Sequence, residues 1–470
     1  MTHLWQLISV LNYLMQRNTI KQLHSSTRVK LVAATDFYLP DECWESIFKF
    51  LINDDDNHSC LKSLSVVSKQ FLSITNCLVF SLTVGDFQPR HLLPRFFNRF
   101  SSINSLNLSC HQKDDVNTIL CQISLFPLNL KLLKLSHQTT FPANGLRVLS
   151  QNITTLISLT CSFISYLHGD DLFLIADCFP LLEELDLSYP YNLQNHESLL
   201  NGIEVLSSAL FKLRKINLTN HDYINDQSVF HLFKNCKLLE EANIFYCLQI
   251  THAGIAFALR ETPTLRSLSF YKYFERKDCA TLFAVSPQLK SLRLASISWF
   301  EDENIKIFAS IFPNLQLLDL SYGGYIPEEA ICRVLRSCSE IRQLNVASYS
   351  RMKLRGMNFE VPKLEVLNLS RTDVDDEALY MISKSCRGLL QLLLERCCNV
   401  TEKGVKHVVE NCTQLREINL MRCEKVHPNV VASMVLSRPS LRKIIAPACY
   451  CFSDIERELF SRQRCLVCYS

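Results

Sequence analysis

One six-residue pattern, Leu-x-x-Leu-x-Leu, returns along most of the chain and restricts its fold more than any other feature. Its clearest copies are Leu182-Leu185-Leu187, Leu289-Leu292-Leu294, Leu315-Leu318-Leu320, Leu364-Leu367-Leu369 and Leu389-Leu392-Leu394. Looser copies, with Ile, Val, Ala, Phe or Cys in some slots, start at Ile103, Leu130, Leu156, Leu213, Leu239, Leu265, Ile341, Leu415 and Leu441. These fourteen starts lie 23 to 31 residues apart, and eight of the thirteen intervals are 26, a regularity that chance alternation would not hold. Within each unit the last two apolar positions are two apart, as a strand with one buried face requires, and a helix-spaced apolar stretch follows. One unit therefore supplies one strand and one helix. No unit can bury its apolar side alone, so the units must stack into a continuous array.

The second half of each unit carries its own pattern, apolar-polar-polar-x-small-apolar, in Ile250 to Ile255, Val374 to Leu379 and Val400 to Val405, with a looser copy in Ile224 to Val229. Thr251, Asp375 and Thr401 stand where helix N-caps are expected. The interval from Leu182 to Leu213 is stretched to 31 residues, which predicts an extra loop around Tyr189 to His196. Cysteine follows the same register. Cys236, Cys338, Cys386 and Cys412 stand three residues before a start; Cys247, Cys397, Cys423 and Cys449 stand eight after one. The total of 21 could suggest a disulfide scaffold in a short secreted chain, but recurrence in register over 470 residues means a structural slot filled once per unit. Reduced thiols of this kind point to a cytoplasmic or nuclear setting.

This pattern resembles the cysteine-containing subclass of leucine-rich repeats over roughly residues 100 to 450, with Cys236, Leu239, Ala242, Ile244, Cys247, Ile250, Thr251, Gly254 and Ile255 following it closely. The fold class it implies is an α/β leucine-rich-repeat solenoid, or horseshoe, of about 14 repeats.

Residues 39 to 71 break the repeat. Trp44, Ile47, Phe48 and Leu51 share one helical face after Pro40, with Asp41 and Glu42 placed to complement the helix dipole. Leu61, Leu64, Val67 and Phe71 form a second set at the same spacing, across a polar loop through Asn53 to Ser59. A module of about 45 residues is too small for a comfortable core of its own, so a partner surface is expected. Leu39-Pro40-Asp41-Glu42, then Ile47-Phe48 and Leu51, then Leu64-Ser65-Val66-Val67-Ser68-Lys69-Gln70-Phe71, resembles the F-box. The resemblance implies a small all-α module that docks a Skp-type adaptor and through it a cullin/RING assembly. It also implies that Leu39, Pro40, Ile47, Leu51, Leu64, Val67 and Phe71 supply adaptor contacts or order the helices that do. The loop through Asp54, Asp55 and Asp56 is longer than usual for the family, and Phe71 stands where Trp is common. A capping helix pair for the array is the alternative reading; it explains the apolar faces but not the Leu-Pro start.

The chain thus divides into a tail at 1–38, the F-box at 39–85 and the solenoid at 86–470. The tail is apolar from His3 to Met15 and basic at Arg17, Lys21, Arg28 and Lys30. It reads as poorly ordered chain rather than a targeting peptide, because Gln6, Ser9 and Asn12 interrupt a run too short for the roughly 20 residues a membrane span needs.

Chemistry finds little footing. The ten glycines form no phosphate-cradling loop and no nucleophile elbow, so no catalytic residue or cofactor is assigned. With 49 basic against 46 acidic residues, no global field argues for nucleic acid or an anionic membrane. Cys449-x-Cys451 and Cys465-x-x-Cys468 have zinc-like spacing, but Cys449 already belongs to the repeat slot, and no metal is expected. Asn107, Asn217 and Asn368 sit in Asn-x-Ser/Thr sequons inside the strands, where a glycan would crowd the next repeat.

A target would meet the face opposite the helices, where equal positions of successive repeats form columns about 4.8 Å apart. Arg371, Arg396 and Arg422 each fall seven residues after a start and could grip an acidic or phosphorylated segment; a solvated rim, partly neutralised by Glu395 and Glu424, is the bland reading. Tyr189, Phe245, Tyr246, Tyr271 and Tyr322 are expected to face outward as an aromatic patch. Together these features predict a non-catalytic substrate-recognition subunit of an SCF-type (Skp-cullin-F-box) E3 ubiquitin ligase, presenting an unknown target protein. A repeat scaffold or inhibitor without an adaptor, and a secreted receptor with glycans and disulfides, are the competing classes.

Overall fold

The structure is a computed structural model and describes residues 39–53, 59–84, 92–109, 116–271, 283–295, 302–321, 326–447 and 452–468. The tail at 1–38, Asp54 to Asp56, Tyr322, Cys449 and Cys451 lie outside the described residues. Two compact units divide between Thr75 and Asn76.

The first unit is built on helices α1 (Asp41–Asn53), α2 (Ser59–Ser65) and α3, which starts at Lys69 and runs on to Cys77. Its core is aromatic: Phe71 packs edge-on against Phe48 at 4.9 Å and lies 4.8 Å from Trp44. The second apolar set does not form one helix as its spacing suggests. Ser68 interrupts it, its hydroxyl accepting the Phe71 amide at 3.0 Å and its carbonyl the Leu72 amide at 2.9 Å, which starts α3 afresh. The break leaves Val66 and Val67 between two helices, with their side chains turned to solvent.

The second unit is built on a parallel sheet of sixteen described strands in chain order, most of them joined by helices; the repeat starting at Ile341 departs from the one-strand, one-helix expectation, with only turns between Gln343–Asn345 and Val366–Asn368. All fourteen starts read from the leucine pattern hold, each strand opening two residues after its start, from Ser105–Asn107 to Lys443–Ile445. Two further strands flank them. β1 (Ser81–Thr83) pairs in register with Ser105–Asn107, so the array begins before the boundary at residue 86, and Leu466–Cys468 closes the other edge. The middle strand residue is buried in the layer of helices while its neighbours are half-exposed on the opposite face, as in Glu184–Asp186 and Val366–Asn368.

Helix starts are tied across repeats. Asp376 accepts from the Thr401 amide (2.8 Å), the Thr401 hydroxyl (2.6 Å) and the Gly404 amide (3.0 Å) of the next repeat, and Asp226 holds the Thr251 amide and hydroxyl, both at 2.7 Å. Thr251, Asp375 and Thr401 are all N-caps, as expected. A Cβ on Gly404 would lie 2.4 Å from an Asp376 oxygen, which leaves no room for any side chain there. Gly404→Ala is therefore expected to destabilise the protein by about 2 kcal/mol in urea denaturation, although alanine in an open helix would gain about 1 kcal/mol.

The 31-residue repeat differs from expectation. No extra loop occurs around Tyr189 to His196: the short strands Tyr166–Leu167 and Asn192–Leu193 keep the same offset from their main strands and pair with each other. The insertion instead lengthens the helix to fourteen residues, His196–Ala209, against ten in Gly169–Cys178. Four added residues make about one turn, so the apolar stripe stays in phase. The fifth precedes the helix, at the cap residue Asn195, whose backbone is left-handed (φ 55°), a conformation asparagine tolerates.

The cysteine register has two separate causes. Cys236, Cys338, Cys386 and Cys412 are buried helix C-caps. The slot eight residues after a start is a buried donor site. Cys247, Cys397 and Cys423 point their thiols at the carbonyls of Leu218, Leu369 and Leu394 in the preceding repeat (3.1, 3.1 and 2.9 Å). His221 and Tyr349 fill the same slot and bond Leu187 (2.8 Å) and Leu320 (2.5 Å). In these five repeats the slot supplies a donor to a leucine carbonyl of the preceding repeat, whereas Ile164 and Pro190 fill it without one. Burial pushes the thiols of Cys236, Cys247, Cys412 and Cys423 up to about 12, which keeps them protonated and inert. No disulfide joins the described cysteines.

Candidate functional site

Two surfaces carry side chains that the fold does not consume. The first is on the three-helix unit. Phe50 is 69 % exposed and Val66 82 %, and Val67 is also exposed, while Ile47, Leu51 and Leu64 are half-buried. Leu39 is half-buried and Pro40 exposed, with the Pro40 carbonyl accepting the Cys43 and Trp44 amides to open α1. Phe71 lies inside the aromatic core, so it orders the helices and presents no surface. Phe50 went unnoticed in the sequence because it sits off the face shared by Ile47, Phe48 and Leu51; an apolar residue on the polar side of a short helix was the available signal.

The second surface is a column running along the solenoid, seven residues after each repeat start. Its described members His137, Phe163, Tyr189, Asn220, Tyr246, Ser348, Arg371, Arg396 and Arg422 all have left-handed backbones, with φ from 57° to 69°. This conformation is uncommon outside glycine and asparagine, and the neighbouring repeat imposes it. The amide of His137 bonds the Ser162 carbonyl, that of Phe163 the Ser188 carbonyl and that of Tyr189 the Thr219 carbonyl, at 2.8 to 2.9 Å. His137, Phe163 and Tyr189 then stack ring on ring, with centroids 4.7 and 4.9 Å apart and planes within 8°. Tyr189 alone was picked out from the sequence; applying the seven-residue offset to every repeat would have found its two partners.

Tyr246 is exposed and lies 4.6 Å from Tyr271, which is half-buried. Phe245 departs from expectation: it is 2 % exposed and does not face solvent. It stands in the column where other repeats place Ser188, Thr219 and Ser321, one residue before the left-handed turn. The Arg293 guanidinium covers its ring at 4.2 Å, and Tyr246 meets it edge-on at 4.8 Å. Farther along the column, Arg371 lies 3.4 Å and Arg396 3.9 Å from the same Glu395 carboxylate. Among the described residues no carboxylate pairs with Arg422.

The third strand position explains the sequons. Asn107, Asn217 and Asn368 each accept the amide two residues on (3.0, 3.2 and 3.0 Å), so these side chains brace the turn into the left-handed column. On the same sheet face a shallow depression of about 220 Å³ is lined by Glu184, Asp186, Lys215, Asn217, Glu241 and Asn243, among others. Lys215 reaches Glu184 at 2.8 Å and holds its carboxyl below the usual range. The basic residues just after repeat starts serve the repeat itself, as Arg214 does by bonding Glu240 at 2.6 Å. Among the described residues there is no cluster of metal-binding side chains, and no helix is long and apolar enough to cross a membrane.

No family model matches the chain. F-box/LRR-repeat protein 4 of Bos taurus is 25 % identical over 177 residues, covering 36 % of this chain and 28 % of that protein. F-box protein FBX14 of Arabidopsis thaliana is 21 % identical over 322 residues, covering 57 % of this chain and 48 % of that protein. The chain therefore spans about half or less of the length of these relatives. Among solved structures, a chain of the yeast Rad7 and Elc1 complex aligns with a TM-score of 0.47 at 16 % identity, over 88 % of this chain and 94 % of that one. A chain of the TLR13–ssRNA13 complex aligns with a TM-score of 0.37 at 15 % identity, over 80 % and 58 %. With curated relatives that are F-box proteins on one side and a repeat solenoid behind a small helical unit on the other, the chain resembles the F-box/leucine-rich-repeat family.

Proposed function

We propose that this protein is the substrate-recognition subunit of an SCF-type E3 ubiquitin ligase, a receptor without catalytic residues of its own. The helical unit docks a Skp-type adaptor, which joins it to a cullin/RING assembly, and the solenoid holds a target protein on its sheet face. Such a receptor works in the cytoplasm, the nucleus or both. The observation that carries this reading is the pair of large apolar side chains, Phe50 and Val66, left in water on a small unit whose core is Phe48, Phe71, Leu61 and Ile74 with Trp44 at its edge. Exposed apolar groups on so small a module are stabilised by a partner. Leu39, Pro40, Ile47, Leu51, Leu64 and Val67 supply the remaining contacts, with Phe71 ordering the helices that present them.

Leu39→Ala combined with Pro40→Ala tests this directly by co-purification with a Skp-type adaptor. Adaptor recovery is expected to fall about ten-fold or more, since interface anchors carry more than about 1 kcal/mol each, with the melting of the solenoid unchanged. Undiminished recovery would contradict the assignment. Tyr189, Tyr246 and Tyr271 offer the target aromatic anchors, and Arg371, Arg396 and Arg422 a cationic strip.

A further inference from the structure

The left-handed column along the solenoid has a missing rung. His137, Phe163 and Tyr189 stack ring on ring with centroids 4.7 and 4.9 Å apart, one ring to each repeat. The next two positions are Asn220 and Tyr246, on strands that continue the sheet in register, since Glu184–Asp186 pairs with Lys215–Asn217 and that strand with Glu241–Ile244. Amide bonds from Tyr189 to the Thr219 carbonyl (2.8 Å) and from Asn220 to the Phe245 carbonyl (2.9 Å) hold the backbones to one pitch. Tyr189 and Tyr246 are therefore two strand spacings apart, roughly 9 to 10 Å, with the short side chain of Asn220 between them. Among the described residues the ring contacts of Tyr189 run to Phe163 and those of Tyr246 to Phe245 and Tyr271, none of them across the gap. A flat group placed over Asn220 would lie one spacing from each tyrosine, the separation at which the ladder already stacks.

Around this gap the charge is negative. The first ten residues of the repeats starting at Leu182, Leu213 and Leu239 hold six carboxylates against Arg214 and Lys215. Glu184, Asp186 and Glu241 line the depression on the sheet face of these repeats, where Glu184 engages Lys215 at 2.8 Å. Asp222 is the carboxylate nearest Asn220 in sequence. His221 between them is buried, so both turn to solvent, and Asp222 has only His196 near it, at 3.9 Å, as an ion-pair partner among the described residues. The repeat before, starting at Leu156, has no charged residue in the same stretch; the repeat after turns basic with Arg266 and with Lys272, which lies outside the described residues.

We infer that Tyr189, Asn220, Tyr246 and Asp222 form a slot for an arginine side chain of the target protein, a reading that rests on the receptor function proposed above. A guanidinium is flat and cationic, so it stacks on a tyrosine face at either side while its edge donates to the Asn220 side-chain carbonyl and the Asp222 carboxylate. The same sheet face already holds a guanidinium on a ring, with Arg293 at 4.2 Å from the centre of Phe245. A neutral aromatic side chain would fill the gap but gain nothing from Asp222, and a lysine would meet the charge but has no plane to stack.

The test uses the full chain co-expressed with a Skp-type adaptor and three immobilised pools of twelve-residue peptides. The pools are fixed at the centre as arginine, lysine or tryptophan and are degenerate elsewhere, without basic or aromatic residues. Retention on the arginine pool is expected to exceed that on the other two about ten-fold, the scale of a cation–π contact combined with a charge-assisted bond. Asn220→Tyr supplies the missing ring from the chain itself and should erase the preference. Phe163, Tyr189 and Tyr246 show that aromatic residues take this left-handed backbone, so the melting temperature should not fall. Asp222→Asn keeps the slot and removes the charge, and should lower arginine retention about three-fold or more. Equal retention of the arginine and tryptophan pools would make the gap a plain aromatic site, and equal retention of the arginine and lysine pools would leave charge attraction alone. Either result overturns the inference, as does undiminished arginine retention in Asn220→Tyr or Asp222→Asn. Adaptor co-purification read on the same samples separates the two ideas: it should be unaffected by either substitution, and its absence in wild type would instead count against the receptor reading.

Discussion

Phe50→Ser combined with Val66→Ser is expected to weaken adaptor binding by about 3 kcal/mol, roughly a hundred-fold in Kd, without lowering the melting temperature of the free protein. The magnitude follows from exposure. Phe50 and Val66 present 69 % and 82 % of their surface to water in the free chain. Fully burying a Phe or Val side chain is worth about 1.5 to 3 kcal/mol, and part of that is recovered at an interface. Neither residue supports the fold, since the unit is held by Trp44, Phe48 and Phe71 and by the Gln70 side chain donating to Asp41 at 2.7 Å. Phe71→Ala should behave differently, unfolding the unit and abolishing binding together. Isothermal titration calorimetry against a Skp-type adaptor, with circular dichroism on each variant, distinguishes a lost contact from a lost fold. Wild-type affinity in the double variant would place the docking face elsewhere.

Acid should destabilise the solenoid through one buried imidazole. His221 is fully buried, with Nε2 against the Leu187 carbonyl at 2.8 Å and Nδ1 2.9 Å from the Tyr223 hydroxyl. The carbonyl can only accept, so Nε2 donates; burial disfavours the charged imidazolium, and in the neutral ring Nδ1 accepts from the Tyr223 hydroxyl. Burial pushes its pKa down to about 4, with the hydrogen bond to Leu187 and the charges of Asp222 and Asp186 offsetting part of that shift. The unfolded chain takes up a proton near the ordinary value of about 6.5 and the folded chain only near 4, so between those values the unfolded state binds more protons. Stability from this group is complete above pH 6.5 and declines as pH falls through the window, by about 2 kcal/mol at pH 5 and about 3 kcal/mol at pH 4. His221→Gln keeps a donor without a titrating group. Its urea midpoint should change less between pH 7 and pH 5 than that of wild type; an unchanged slope would mean that His221 is not the sensor. His221→Ala, which orphans the Leu187 carbonyl and leaves a cavity, should cost about 3 to 4 kcal/mol at pH 7.

The repeat array was legible because its signal is local and redundant. A strand needs its buried leucine at one position, and fourteen copies fix the register of every strand from Ser105 to Ile445. Helix caps were legible for the same reason: Thr251, Asp375 and Thr401 act on amides within their own turn. What escaped the sequence depends on contacts between repeats. Five extra residues between Leu185 and Ile216 could enter a loop or a helix, and only the need to keep the apolar stripe in phase decides for the helix. Phe245 occupies an alternation position that should face outward, yet Arg293, two strands away, closes over it. The donor slot looked like a preference for cysteine because thiols fill it most often. His221 and Tyr349 show that the slot also takes larger side chains that donate to the same carbonyl position, while Ile164 and Pro190 fill it by packing alone.

The three-helix unit was legible in its apolar spacing more than in its exposed faces. Pro40, Ile47 and Leu51 were singled out by their spacing, whereas the exposure of Phe50 and Val66 depends on where α1 turns and where Ser68 stops the second apolar set. The left-handed column was half visible. Its arginines stood out as three equal charges in register, but His137 and Phe163 acquire meaning only when their rings stack on Tyr189.

The account rests on the helical unit being the surface that an adaptor covers, and amide hydrogen exchange of the full chain, with and without a purified Skp-type adaptor, tests that most directly. Protection is expected to appear within residues 39–75, strongest in α1 around Phe50 and between α2 and α3 around Val66, with the strands of the solenoid unchanged. No change in residues 39–75, or protection confined to the strand face of the repeats, would contradict it.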